Sequence, residues 1–225
     1  VKAGETLFFD KNSEKIKFVS PVSGIIHEIL RGDRRTVLEI KIKADKEISY
    51  KKIEKINHVD SSNTIDFLLE NGLWTFVKQR PYDIIADPNS IPKDIFISGF
   101  DSSPLSADYD FITKDEKENI KAAIKCLTQL TNGSVHISIR KESNSFLREL
   151  KNVVIHNVSG PHPAGNLSTI INKISPIYKT SPIGFSHQPF FLNCVVSAQV
   201  KLGPHLLLKK LLILEKFLGR QRTFK

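Results

Sequence analysis

The chain has 225 residues, 40% hydrophobic and 25% charged, ordinary values for a soluble globular protein of one large or two small domains. No apolar run reaches the roughly 18 residues of a membrane span; the longest candidate, Leu206 to Leu218, is interrupted by Lys209, Lys210, Glu215 and Lys216. The net charge of +9 is spread along the whole chain without a basic stripe interleaved with aromatics. That argues against a nucleic-acid partner and for a solvated basic surface, or one facing acidic partners or lipid headgroups.

The chain starts at Val1 and contains no methionine, so further N-terminal sequence is expected; no basic-then-apolar export leader is visible. Cys126 and Cys194 lie in apolar-periodic contexts and read as buried free thiols of a reduced compartment. Neither has a Cys or His partner at zinc-ligand spacing, so no metal site is expected.

Residues 1–45 read as a small all-β module. Thr6 to Phe9, Lys15 to Val19, Ile25 to Ile29 and Val37 to Lys43 form short apolar or alternating runs separated by turns. The layout is similar to the barrel-sandwich modules of biotinyl and lipoyl carriers. The turn Pro21-Val22-Ser23-Gly24 has no lysine to carry a cofactor, so a rigid β module is expected. Residues 46–92 read as a connecting segment. It holds one helix, with an N-cap cluster at Ser61 to Thr64, apolar positions Ile65, Leu68, Leu69 and Leu73, and Gly72 near its end. Arg80-Pro81-Tyr82 fits either a specificity loop or a capping and packing element.

Residues 93–174 alternate strand and helix. Asp94 to Phe100 is an apolar strand of the kind buried on both faces in a parallel sheet. Thr113 to Glu116 fits a capping box opening a helix with the stripe Ile120, Ala123, Ile124, Leu127 and Leu130, stopped at Asn132-Gly133. Val135 to Ile139, a short helix from Phe146 to Leu150, and a strand from Val153 to Val158 follow. This order predicts a Rossmann-like, three-layer α/β unit with right-handed crossovers.

The loop after the first of these strands lacks the spaced glycines of a dinucleotide fingerprint and carries Asp101 and Asp108, which repel phosphate. The loop Gly160-Pro161-His162-Pro163-Ala164-Gly165 precedes a helix from Leu167 to Lys173, a position suited to an anion. Its two prolines remove N–H donors, so it reads as a rigid or interface element. His156 and His162 have no carboxylate or nucleophile close to them in sequence, and both read as structural.

Five stretches carry a family resemblance: Phe18 to Gly24, Gly72 to Thr75, Arg80 to Tyr82, Asp101 to Leu105, and His156 to Gly165. Together, over about residues 1–177, they resemble the A subunits of the sodium-translocating NADH:quinone reductases of bacterial inner membranes. The resemblance implies a cofactor-free peripheral subunit on the cytoplasmic side, packed on other subunits of the complex and linked to quinone (ubiquinone). It assigns no quinone-binding residue, and the chain alone is not expected to be catalytic.

Residues 175–225 change character. Thr180 to Gly184 and Gln188 to Asn193 read as loops entering a strand at Cys194 to Ala198, and Gly203-Pro204 opens a leucine-rich helix ending at Gly219-Arg220. This order resembles hydroxymethyldihydropterin pyrophosphokinase, an ATP- and Mg2+-dependent enzyme of folate biosynthesis. The resemblance implies pterin contacts from Thr180, Pro182, Ile183, Phe191 and Asn193, and nucleotide contacts from Glu215 and Arg220. The family's magnesium-binding carboxylate pair has no counterpart before Lys225, so no kinase activity is expected. The segment is expected to be an incomplete ferredoxin-like β-α piece. A joined reading frame without a role of its own, crossing over near Ser175 to Ile177, is the third expectation.

Overall fold

The computed structural model describes residues 1–53, 60–106, 108–176 and the backbone of 190–192. The chain is mixed α/β and divides into two compact units, Val1–Glu54 with Phe67–Thr75, and Lys55–Asp66 with Phe76–Lys225.

In the first unit, β1 (Thr6–Asp10) pairs antiparallel with β2 (Ser13–Val19), and β3 (Gly24–Arg31) pairs antiparallel with β4 (Val37–Ala44). These are separate two-stranded sheets, and no closed barrel forms among the described residues. A 3-10 helix, Asp33–Arg35, connects β3 and β4, where the sequence suggests a turn at Arg31 to Asp33. The Ser20 to Gly24 turn is an internal scaffold. Ser20 and Ser23 are buried, Ser20 Oγ donates to the Val22 carbonyl (2.6 Å), and Ser23 Oγ accepts from Ser49 N–H (2.9 Å). Gly24 is required here, because a Cβ would lie 2.1 Å from the Lys43 carbonyl oxygen.

Helix α1 (Ser61–Glu70) starts one residue earlier than its serine cluster suggested. Asp60 is the cap: its carboxylate accepts from Asn63 N–H (2.8 Å) and from the Ser62 hydroxyl (3.2 Å). Its buried positions are Thr64, Phe67 and Leu69. Gly72, at φ +66, supplies the left-handed residue after the helix end.

In the second unit a six-stranded sheet runs in the order β6-β5-β10-β7-β8-β9. Its strands are β5 (Val77–Gln79), β6 (Ile84–Ile85), β7 (Ile95–Ser98), β8 (Val135–Arg140), β9 (Val154–Val158) and β10 (Phe190–Leu192). β7, β8 and β9 are mutually parallel, as their apolar runs suggest. β5 and β6 form an antiparallel hairpin that the sequence did not announce, because strands of three and two residues are too short for an alternation pattern.

Two further expectations are corrected. Thr113 ends helix α2 (Tyr109–Thr113), capped by Asp108, instead of opening the long helix; α3 runs Lys117–Leu127. A capping box is only three or four residues of pattern, and here the stronger Asx cap five residues upstream takes the chain into a helix first. The short helix expected between β8 and β9 is present as the 3-10 helix Phe146–Glu149. Finally, Phe190–Leu192, expected to be loop, is strand; the expected strand at Cys194 to Ala198 and the leucine-rich helix lie outside the described residues.

The core of this unit is the parallel sheet. Ile95, Phe96, Val135, Ile137 and Ile139 are each no more than 2% exposed. Helix α4 (Leu167–Ile174) packs Leu167 and Ile171 onto Phe96, with Ile174 at the margin. Cys126 is a buried free thiol whose pKa burial pushes up to about 11, so it is inert at neutral pH; Cys194 lies outside the described residues.

Candidate functional site at the sheet's C-terminal edge

Ligands of open parallel sheets bind beyond the carboxyl ends of the strands. Here that edge gathers the loop after β7 (Gly99 to Ser106), the loop after β8 (Lys141 to Ser145) and the loop after β9 (Ser159 to Asn166).

Ser102 joins the first and third of these loops. Its hydroxyl accepts from Gly165 N–H (2.8 Å) and lies 3.2 Å from His162 Nδ1. A Cβ on Gly165 would come within 2.7 Å of Ser102 N and 2.9 Å of its hydroxyl oxygen, so glycine permits this close approach. Within the loop Ala164 N–H donates to the Pro161 carbonyl and Asn166 N–H to the Pro163 carbonyl, each at 2.9 Å. The amides of residues 164, 165 and 166 are therefore all engaged internally, and Pro161 and Pro163 have none. His162 thus has a hydroxyl neighbour 60 residues away in sequence, which is why its own surroundings did not reveal one.

Asp101 sits beside this anchor. Burial, the largest single influence, raises its pKa. The Ser103 N–H (2.8 Å) and hydroxyl (2.7 Å) that donate to its Oδ1, the His162 charge and the Ser102 N–H together outweigh it and lower the pKa below the ordinary value. We expect Ser102→Ala to cost about 1 kcal/mol and to accelerate hydrogen exchange at Gly165 selectively.

A cleft of about 460 Å3 opens at the ends of β7 and β8, lined among others by Phe100, Asp101, Asp108, Tyr109, Asp110 and Arg140. Two N–H groups at the start of α2 are engaged by a side chain: Asp108 Oδ1 accepts from Asp110 N–H (3.0 Å) and Phe111 N–H (3.2 Å). Asp110 accepts from the Ser143 hydroxyl through Oδ2, while its Oδ1 is buried without a hydrogen-bond partner. Arg140 lies over the Phe100 ring at 5.6 Å. Arg148 holds the loop after β8, donating to the carbonyls of Arg140 (3.1 Å), Lys141 (2.8 Å) and Ser143 (2.9 Å) and to Asn157 Oδ1 (2.7 Å). Three carboxylates and pre-engaged amides make this edge a poor phosphate cradle. No group of three or more His, Cys, Asp or Glu side chains suited to a metal ion occurs among the described residues.

At the opposite end of the same strands, His136 Nδ1 lies 2.8 Å from His156 Nε2, and His136 Nε2 lies 3.5 Å from Asp94 Oδ1. Phe96 stacks on His136 at 4.6 Å. His156 therefore has partners after all, brought by strand pairing from 20 residues away. Burial first, then the charge of His136, lowers the His156 pKa. A base with a lowered folded-state pKa is protonated first in the unfolded chain. Its contribution is thus complete above its ordinary pKa and is lost as pH falls through about 6.5 and on toward the folded value. Urea midpoints are expected to fall between pH 8 and pH 6, and His156→Gln to flatten that dependence.

Of the sequence-derived candidates, Gly160, Pro161, His162, Pro163 and Gly165 lie in the loop after β9, where His162 and Gly165 reach Ser102. Phe191 stands mid-strand in β10. Thr180, Pro182, Ile183, Asn193, Glu215 and Arg220 lie outside the described residues. Sequence reasoning missed Ser102 as the anchor and Arg148 as the clamp; lone polar residues in loops carry no periodic signal.

A small β unit followed by a mixed-sheet α/β unit, with the amides of residues 164–166 bonded within the chain, defines a two-module protein without a nucleotide fingerprint. Residues 1–45 match the family described as the NqrA N-terminal barrel-sandwich hybrid domain, and residues 59–183 the NqrA second alpha/beta domain. The chain belongs to the NqrA family. It is 35% identical over 188 residues to the NqrA protein of the Na(+)-translocating NADH-quinone reductase of Yersinia pseudotuberculosis serotype O:1b (strain IP 31758), covering 81% of this chain and 42% of that one. It is 30% identical over 189 residues to the corresponding protein of Histophilus somni (strain 2336), covering 82% of this chain and 42% of that one. The chain thus spans less than half the length of these relatives. Residues 155–225 match 7,8-dihydro-6-hydroxymethylpterin-pyrophosphokinase. That match begins inside β9 and overlaps the NqrA match over residues 155–183.

Proposed function

We propose that this chain is a partial, peripheral, cofactor-free subunit of a sodium-translocating NADH:quinone oxidoreductase, acting through interaction with other subunits of the complex. The observation that carries this reading is the ordered match of residues 1–45 and 59–183 to two consecutive NqrA domains. In finer terms, the β unit corresponds to a barrel-sandwich module and the α/β unit to a Rossmann-like one. The internally engaged amides at the sheet edge support a scaffolding role over cofactor binding. No helix among the described residues is long and apolar enough to cross a membrane, which accords with a peripheral place on the cytoplasmic face of a bacterial inner membrane. The acidic lining of the edge cleft does not suit a quinone ring, so the link to ubiquinone would run through the assembled complex. The test is reconstitution: the chain should sediment with membranes only when partner subunits are present, and partner-independent binding, or none with partners, overturns the reading.

A second reading, a pterin pyrophosphokinase fragment, is favoured by the match over residues 155–225. It predicts AMP release from ATP with 6-hydroxymethyl-7,8-dihydropterin and Mg2+. We expect none at high protein concentration. A joined frame remains the third reading; sequencing the locus across the codons for Lys173 to Tyr178 decides it, because an uninterrupted genomic frame removes an assembly artefact.

A further inference from the structure

The position of β10 has a physical consequence for the pterin-kinase-like segment. β10 is hydrogen-bonded on both edges: Phe190, Phe191 and Leu192 face Gln79, Lys78 and Val77 of β5 antiparallel, and Ile95, Phe96 and Ile97 of β7 in parallel. β5 has only β6 on its other side, and β7 has only β8. Removing β10 would split the sheet into a β5–β6 hairpin and a β7–β8–β9 sheet. The gap would span two inter-strand spacings, roughly 9.6 Å, too wide for β5 and β7 to pair directly. It would strip ladder partners from Lys78 and from Phe96, which is 1% exposed, while Val77 keeps the Ala86 N–H and Ile95 the Ser134 carbonyl. Unsatisfied backbone groups at such depth cost about 1–3 kcal/mol each, so the slot demands an occupant.

We propose that β5 and β7 frame a strand-accepting slot, and that the pterin-kinase-like segment of this chain serves as its occupant in cis. Phe190–Leu192 then acts as a central strand of the NqrA-type sheet and not as a wall of a pterin site. The slot is selective. It takes a segment running antiparallel to β5 and parallel to β7, and it excludes proline, because a strand paired on both edges donates N–H groups to both neighbours. The Phe-Phe-Leu sequence suits a pleated interior position. This is the geometry of β-augmentation supplied from within one chain. It goes beyond the subunit reading and does not depend on assembly with other subunits.

Two measurements on the full chain test it. In wild type, the amides of Lys78 and Phe96, which face β10, should be protected from hydrogen exchange. Phe191→Pro should accelerate both by about tenfold or more while sparing the β8–β9 ladder. Wild-type amides that exchange freely at both positions, or are unmoved by Phe191→Pro in a folded protein, would overturn the proposal. Should Phe191→Pro fail to fold, a cross-link decides. In a Cys194→Ser background, the register partners Lys78→Cys and Phe191→Cys should form a disulfide on mild oxidation. Both thiols remaining titratable and uncross-linked would overturn it. The probe 6-hydroxymethylpterin should not bind the cross-linked or the wild-type chain; binding abolished by the cross-link would equally sink the idea.

Discussion

Phe96→Ala is expected to destabilise the α/β unit by about 3–5 kcal/mol, read as a lower guanidinium midpoint by circular dichroism. Phe96 is 1% exposed at the centre of β7. One side of its ring carries Leu167 and Ile171 of α4, and His136 stacks against it at 4.6 Å. Truncation removes the transfer energy of the ring and leaves a void whose floor is sheet backbone, which cannot collapse to fill it. The same change should loosen α4, because Leu167 and Ile171 lose their shared contact. Phe111→Ala is the control: Phe111 is 67% exposed, and its removal should change stability by about 0.5 kcal/mol or less. A Phe96→Ala loss as small as the control's would mean that α4 does not pack on this strand.

The second large effect is at Gly133, just before β8. A Cβ there would lie 1.9 Å from the Lys93 carbonyl oxygen and 2.5 Å from Asp94 Oδ1. The obstruction is mostly backbone, held in place by Ile95 N–H donating to the Ser134 carbonyl (3.0 Å) and Ser134 N–H donating to Asp94 Oδ1 (3.0 Å). Thr131 Oγ pins the same crossing by donating to the Pro92 (2.9 Å) and Lys93 (3.0 Å) carbonyls. Gly133→Ala must therefore push β7 and β8 apart where they begin. A cost of about 3 kcal/mol is expected. Displacing Asp94 should also disturb His136, 3.5 Å away. Gly32→Ala offers the contrast, because its Cβ would meet only the flexible end of Leu38 at 3.0 to 3.2 Å. Its cost should stay near about 0.5 kcal/mol. Equal effects at the two glycines would refute the argument that rigid backbone, not mere closeness, sets the penalty.

The His136–His156 pair illustrates what a sequence conceals. His156 in isolation reads as a structural residue. The parallel register that places Ser138 opposite His156 also brings the two rings within hydrogen-bonding distance. Their pH dependence is a property of the pairing, and no spacing within the chain encodes it. The same holds for Ser102. A serine in a loop carries no period, yet its hydroxyl anchors a second loop across 63 residues.

Local physics fixed much of the α/β unit in advance. The apolar runs at Ile95–Ser98 and Val135–Arg140 had to be strands buried in a parallel sheet, Val154–Val158 had to be a strand, which forms the sheet's edge, and the stripe containing Ile124 and Leu127 had to be a helix. The glycine after α1 and the prolines of the Gly160 to Gly165 loop likewise constrained the backbone through sterics that act within one or two residues. The tertiary structure alone decided how these pieces were completed. It made β5 and β6 strands, because three residues acquire strand character only through their neighbours' hydrogen bonds. It joined the Gly160 loop to Ser102, because that contact depends on where two strands end. It also placed Phe190–Leu192 between β5 and β7, because vacant backbone donors and acceptors on both sides of a slot outweigh what the segment's own sequence resembles.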